Sequence, residues 1–325
     1  MVGAKQVYEM ERKHRFTFID LFAGIGGMRI AFERAGGKCV FTSEWDKFAA
    51  QTYAANFGDA PAGDITKVPI DKIPNHNILL AGFPCQPFSN AGLKLGFDDT
   101  RGTLFFDVAQ IIKKRRPEMV LLENVKGFVI HDRGRTHAVV RNVLEDLGYE
   151  VHSKVLNASD FGVPQNRERI YIVAIRTDLS QPSLFEFPRP PKKPTRVGQI
   201  LEKRVDRKYT LSDKLWNGHK RRLREHRERG NGFGYSLFGP ESTRTSTISA
   251  RYYKDGSEIL IRTSGNPRKI TPREAARLQG FPDSFVIPVS DTQAYKQFGN
   301  SVAVPVVEAV ARSMIRIFNK GVGNK

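Results

Sequence analysis

Short, nearly continuous apolar runs at residues 16–22, 39–42, 78–81, 119–122, 149–156 and 170–175 punctuate the first half of the chain. Between them lie stretches of helical period that end near residues 34 and 56 or span 103–114 and 136–147. Runs apolar at almost every position suit strands covered on both faces, as in a parallel sheet flanked by helices. The alternation predicts an α/β class, a doubly wound, mostly parallel sheet. It stops near Leu179, where Pro182, Pro188, Pro190, Pro191 and Pro194 mark an extended crossover. Residues 199–270 are instead rich in Arg, Lys, Gly, Ser and Thr. Helical signals return at Thr271-Pro272-Arg273-Glu274, with Pro in the first turn, and in an amphipathic stretch at 304–318. This predicts a large domain over residues 1–185 completed by 291–325, and a smaller domain over 186–290. Residues 1–15 are charged and expected to fray.

Composition narrows the class of partner. The chain has 325 residues, with 52 Lys plus Arg against 34 Asp plus Glu, a formal charge of +18. Cations that neutralise phosphates release condensed counterions, so such an excess points to nucleic acid. Cys39 and Cys85 are the only cysteines, too few for a disulfide framework. No secretory signal and no membrane-length apolar run is visible, so a soluble cytoplasmic protein is expected. Seven scattered histidines and no Cys-x-x-Cys argue against a metal site.

The run from Asp20 to Gly27 puts the small residues Ala23, Gly24, Gly26 and Gly27 where backbone must turn sharply from strand to helix and approach a ligand closely. Glu44 follows Gly24 by 20 residues, at the end of the second strand, the place for a carboxylate that accepts ribose hydroxyls. Together they predict a nucleoside cofactor. The turn lacks the last glycine of Gly-x-Gly-x-x-Gly, which disfavours a nicotinamide dehydrogenase. Trp45 offers an aromatic face for an adenine, or packs in the core; Phe22 faces the adenine from the other side, and Asp64 accepts from its amino group.

Two further apolar runs end in chemistry. One leads to Gly82-Phe83-Pro84-Cys85-Gln86-Pro87, the other to Glu123-Asn124-Val125. Loops after parallel strands open on the ligand face, so a thiol and a carboxyl share one cleft. That pairing suits covalent attack on a base ring, with Cys85 as nucleophile and Glu123 as the acid at ring nitrogen 3. Cys39, within a strand, is a packed apolar group. Arg167 and Arg169 alternate with Glu168 on a strand, so both can point inward. Arg169 is the candidate for the base carbonyl oxygen, and Arg167 for favouring the thiolate.

These segments, with Gln165-Asn166-Arg167-Glu168-Arg169-Ile170 and Gln297-Phe298-Gly299-Asn300-Ser301-Val302, stand in the order seen in cytosine-5 DNA methyltransferases. The chain resembles the bacterial restriction-modification type over residues 16–178 and 268–318, with a catalytic half like that of the HhaI methylase. The resemblance implies that S-adenosylmethionine sits between Phe22 and Trp45, beside Ala23, Gly24 and Gly26. Glu44 would hold the ribose and Asp64 the adenine next to Ile65, with Pro84 and Leu104 lining the pocket. Asn300, Ser301 and Val302 would return beside the Gly-rich turn. It also implies a catalytic domain with a target-recognition domain at 186–290.

A duplex cytosine reaches such a cleft only by rotating out of the stack. Residues 89–102 form a basic loop expected to close over it, and Gln86, Ser89 and Arg101 are candidate DNA contacts. Others are Asn231, Phe233 and Tyr235 in a Gly-rich loop, then Arg244, Thr247, Ser249 and Arg251. Basic residues from 203 to 229, interleaved with Tyr209 and Trp216, fit either a DNA contact or a solvated helix face. Residues 230–238 and 249–261 resemble the recognition segment of Dcm-type methylases, which suggests a CCWGG- or CCNGG-like site. A monomer is expected, with a cognate restriction endonuclease as a possible partner. A transfer-RNA cytosine-5 methyltransferase would share the chemistry, and a non-catalytic DNA-binding protein would explain the charge alone.

Overall fold

The structure, a computed structural model, describes residues 14–84, 103–179, 184–191, 194–232 and 234–322. Six strands form one sheet in the order β2-β1-β3-β4-β6-β5. They are β1 (Phe16–Leu21), β2 (Gly37–Ser43), β3 (Ile78–Ala81), β4 (Met119–Val125), β5 (Tyr149–Asn157) and β6 (Glu168–Arg176). The first four run parallel; β6 is antiparallel to both β4 and β5. The chain thus forms the mostly parallel sheet its apolar runs predict, with one reversed strand.

Period-two alternation sends side chains to both faces of the sheet. Phe18, Leu80, Leu121 and Val173 pack on one side, where α1 (Gly27–Arg34) and α8 (Val304–Val322) lie. Ile19, Leu79, Val120 and Ile172 pack on the other, against α3 (Leu104–Arg115) and α4 (Arg135–Asp146). Because both faces are covered, the strands are apolar at nearly every position. Between β1 and β2 the chain passes α1, and α2 (Lys47–Phe57) follows β2, whereas β3 adds on the far side of β1. The strand order therefore reverses beside β1, and the carboxyl ends of β1 and β3 bracket the crevice where open α/β sheets hold ligands.

Strand ends differ from the apolar runs in one informative place. β4 continues to Val125 and β6 begins at Glu168, because antiparallel pairing of Val125 with Arg169 and Asn124 with Ile170 extends the ladder past the apolar residues. Polar functional residues are thereby held on regular strand rather than loop.

Residues beyond 196 pack on the same apolar core. Val197, Ile200, Ile248, Tyr252, Ile259, Ile261 and Ile270 join the cluster built on α1 and α8. Alternation is lost here because the elements are too short to show a period: β7 (Leu237–Phe238), β8 (Leu260–Ile261) and β9 (Arg268–Lys269) have two residues each. The long element is α5 (Asp213–Glu228), capped by Ser212. The helix expected at Thr271 is α6 (Pro272–Leu278), with a reciprocal capping box between Thr271 and Glu274. Glu274 is fully buried, paired twice at 2.7 Å with Arg268, and also accepts from the Glu202 N–H. One helix is not anticipated by the pattern, α7 (Asp291–Asn300). Its last turn contains Gly299-Asn300, which reads as a breaker in sequence. Among the described residues no helix is long and apolar enough to cross a membrane.

Candidate active site

A cleft of about 970 Å³ opens at the carboxyl ends of β1 to β4. Its floor is the turn after β1. Phe22 adopts φ 56° and Gly24 the same value, and nothing lies within 4 Å of where a Gly24 side chain would begin. The open side of that turn faces the cleft, so a ligand can lie against bare backbone. Gly26 serves differently. It is the N-cap of α1 at φ 83°, and a β-carbon there would fall 2.3 Å from the Phe57 ring, so it is required for packing and does not line the cleft. At Gly27 a side chain would meet Val302 at 2.9 Å and the Ser301 hydroxyl at 3.0 Å, which brings the residues 300–302 against the turn.

At the end of β2, Glu44 accepts from the Gly24 N–H at 2.8 Å through Oε2 and from the Asp46 N–H at 2.7 Å through Oε1. Burial pushes its pKa up, against the backbone donors that hold it down. Trp45 next to it is 80% exposed and lines the cleft, which excludes core packing for this indole. Asp64 also lines the cleft, with Oδ1 accepting from the Thr66 N–H and hydroxyl, so this carboxylate caps a short 3-10 turn that includes Ile65. Pro84, Leu104, Asn300, Ser301 and Val302 complete the same wall. A nucleoside cofactor fits these residues: an oriented carboxylate for hydroxyls, an exposed aromatic face, and a side-chain-free stretch of backbone.

The far end of the cleft holds Glu123, Arg167 and Arg169. Glu123 Oε1 lies 3.2 Å from Arg169 Nε. Burial raises the Glu123 pKa, and the two arginines offset that only in part. Burial therefore shifts this carboxyl toward its protonated form. Asn124 donates to the Phe83 carbonyl at 3.0 Å and accepts from the Val125 N–H, tying the end of β4 to the segment that leads to Pro84.

Arg167 is only 2% exposed. Its guanidinium donates to the carbonyls of Ile248 at 3.1 Å, Gly299 at 2.9 Å and Ser301 at 2.6 Å. Burial, then the charge of Arg169, pushes its pKa down to about 9, so it stays cationic at neutral pH. Arg167 and Arg169 do come together at the cleft, but the former is committed to backbone.

Five expected residues, Cys85, Gln86, Ser89, Arg101 and Phe233, lie outside the described residues. Of the other DNA candidates, Tyr235 packs edge-on against Trp216 with ring centroids 4.6 Å apart. Thr247 donates its hydroxyl to the Asn166 carbonyl, and Ser249 donates to Glu258 at 2.7 Å. Asn231, Arg244 and Arg251 are exposed. None of these six lines the cleft.

Sequence reasoning missed several cleft groups, Asp20 and Lys296 among them. Asp20, at the end of β1, is 1% exposed with Oδ2 lacking a partner, and burial raises its pKa to about 7. Its polarity within an otherwise apolar strand was the available signal. Lys296, on the unanticipated α7, reaches Asp46 at 2.7 Å. Among the described residues no group of three or more His, Cys, Asp or Glu is placed to hold a metal ion.

Comparison with known proteins agrees with this geometry. The profile of the C-5 cytosine-specific DNA methylases matches residues 16–316. Type II methyltransferase M1.ScrFI of Lactococcus lactis subsp. cremoris is 60% identical, over 96% of this chain and 81% of that protein. Type II methyltransferase M.SsoII of Shigella sonnei is 61% identical, over 95% of this chain and 82% of its own length. Among solved structures, the S. pombe Dnmt2 methyltransferase superposes with a TM-score of 0.76 at 21% identity, covering 94% of this chain and 99% of that one, a likeness of fold.

Proposed function

Since the chain belongs to the C-5 cytosine-specific DNA methylase family, whose members use S-adenosylmethionine as methyl donor, we propose that it methylates carbon 5 of a cytosine extruded from a short duplex site. The proposed site is CCWGG- or CCNGG-like, and the chain would be the modifying member of a restriction-modification system. Its two domains would divide the work, residues 1–185 with 291–325 carrying the chemistry and 186–290 the reading of sequence.

The observation that carries this reading is the cleft itself. One continuous wall joins Glu44 and Trp45 to Glu123, and β3 delivers Pro84, the residue before Cys85, to the same wall. Glu44 and Trp45 would hold the ribose and adenine, with Asp64 presenting its remaining oxygen. When bound, S-adenosylmethionine supplies a methyl group on a sulfonium, an electrophile that carbon 5 of an unactivated cytosine attacks poorly.

Activation falls to the chain's own groups. The Cys85 thiolate adds to carbon 6, forming a sulfur–carbon bond and pushing electron density to carbon 5. Glu123 holds a proton at ring nitrogen 3, so the adduct is neutralised where negative charge would develop. Arg169 holds Glu123 through Nε and donates from Nη1 to the Glu168 carbonyl, which leaves Nη2 as the donor for the base carbonyl oxygen. Arg167, bound to three carbonyls, is a positioning residue. After carbon 5 is alkylated, loss of its proton and expulsion of the thiolate restore both the aromatic ring and the free cysteine. Extrusion of the base costs a few kcal/mol, recovered from contacts to the flipped nucleotide and flanking backbone.

Cys85→Ser is expected to abolish methyl transfer while duplex binding persists, and Glu123→Gln to slow transfer by about 10² to 10⁴. A modification map of DNA from cells expressing the chain gives the site. Full transfer by the serine variant would reject the covalent mechanism, and methylation confined to an unrelated sequence would reject the proposed site.

A further inference from the structure

Helix α5 takes no part in the cleft, yet its sequence, Asp213–Glu228, is the most cationic helix of the fold. One stripe faces inward. Trp216 packs on Tyr235, His219 is buried, and Leu223 lies so close to Gly234 that a β-carbon there would fall 2.3 Å from it. Arg222 adds a 3.0 Å ion pair to Asp255, which itself caps Ser257. These contacts fasten α5 to the loop around residues 231–235 and to the turn after Arg251, the two stretches expected to meet DNA.

The edge of the helix beside that stripe is different. Lys220, Arg224 and Arg227 follow one another at i, i+4 and i+7, so they share one side of the helix. All three are exposed, and none has a carboxylate partner among the described residues. Arg221, by contrast, sits 3.5 Å from Glu225. Lys220 is braced over the Trp216 ring at 5.5 Å. Unpaired cations held at fixed spacing on a braced helix are poorly explained by solubility alone, since the chain already carries +18. From Lys220 to Arg227 the helix rises about 10 Å, which spans roughly three phosphates of one strand measured along the duplex axis.

We propose that α5 is a phosphate rail. It lies along the duplex backbone flanking the target site and adds affinity without reading bases. The proposal rests on the DNA-methylating function above and assigns part of its binding energy to a helix outside the cleft and the recognition loops.

The test is the salt dependence of duplex binding. In the triple variant Lys220→Gln, Arg224→Gln, Arg227→Gln, the slope of log K against log salt is expected to fall in magnitude by about 2 to 3, since each phosphate contact contributes about 0.9. The modified sequence should stay the same. A charge-matched control, Lys114→Gln, Arg141→Gln, Arg312→Gln, alters exposed cations that already have carboxylates nearby. Its slope should change by less than about 1. Interchanging Lys and Arg at the three α5 positions should keep the original slope, which separates lost charge from lost fold. Equal slopes for the triple variant and the control would overturn the rail, as would a change in the methylated sequence, or weakening on a structured RNA but not on duplex DNA. If the unaltered chain methylates no duplex at all, the functional reading fails first and independently.

Discussion

Replacing Arg167 with Met tests whether this guanidinium holds three parts of the chain together. Methionine fills much of the same volume but donates nothing, so the carbonyls of Ile248, Gly299 and Ser301 lose their partners in a largely buried site. Each buried acceptor left unpaired costs about 1–3 kcal/mol. Part of that is offset, because burying the cation is itself unfavourable, as its depressed pKa shows. We expect a net loss of about 3–5 kcal/mol, a large share of the 5–15 kcal/mol typical of a folded domain. Arg167→Lys keeps the charge but presents a compact ammonium where the wild-type fork spans three acceptors, and should lose about 1–3 kcal/mol. The assay is urea denaturation with and without the methyl donor, with the midpoint read at constant slope so that a change in the denatured state is recognised. Because two of the three carbonyls flank Asn300, on the cleft wall proposed to hold the donor, the lysine variant should also bind the donor about tenfold more weakly, a difference of 1.4 kcal/mol on the usual scale. A Met variant within about 0.5 kcal/mol of wild type, the ordinary range for surface changes, would refute the assignment of Arg167 as a structural strut.

Two further outcomes follow from buried groups. Asp20 holds its proton far more tightly in the folded chain than in the unfolded one, so its contribution to stability is greatest at low pH and is lost as pH rises from 3.8 to about 7. Asp20→Asn removes that loss: its stability advantage over wild type in thermal or urea melts should grow through this window to at most about 4 kcal/mol and then stay level, and a pH-independent difference would count against the assignment. Gly299→Ala should destabilise by about 1–3 kcal/mol, because the new β-carbon would lie 2.3 Å from the Ser249 carbonyl oxygen and 2.4 Å from the Ala250 nitrogen, backbone atoms that cannot swing aside; an unchanged melting midpoint would show that the approach is looser than described.

The large sheet was legible because buried parallel strands leave a continuous apolar signature, and Ile78–Ala81 is found at the very residues the run marks. The wall of the cleft was legible for a similar reason. Sharp turns need glycine, and the residues after strand ends face the cleft by topology, so Gly24, Glu44 and Glu123 are placed by chain geometry alone. Residues 199–270 were not legible as elements. Strands of two residues have no period to detect, and their burial comes from packing on α8 and on residues far along the chain, such as Tyr252 against Tyr295. Helix α7 was hidden by Gly299-Asn300, which local propensity assigns to a turn; the close approach of residues 249–250 is what requires glycine there. The partners of Arg167 were equally invisible, since a sequence shows the donor but not which carbonyls fold against it.

That hidden wiring bears on how sequence reading and chemistry stay in register. Residues 164–167 run beside 245–248 as a zipped pair: Thr245 N–H donates to the Pro164 carbonyl, Asn166 N–H to the Thr245 carbonyl, and Ile248 N–H to the Gln165 side chain. The Gln165 amide in turn donates to Leu278 and Gln279. Two residues after Arg167, inside β6, Arg169 grips Glu123. A duplex that displaced residues 245–249 by an ångström would therefore have to carry the start of β6 with it or break several buried hydrogen bonds, each worth about 1 kcal/mol and more if left unpaired. The carboxyl proposed to serve the target base is thus referenced to the same backbone that is proposed to meet the DNA.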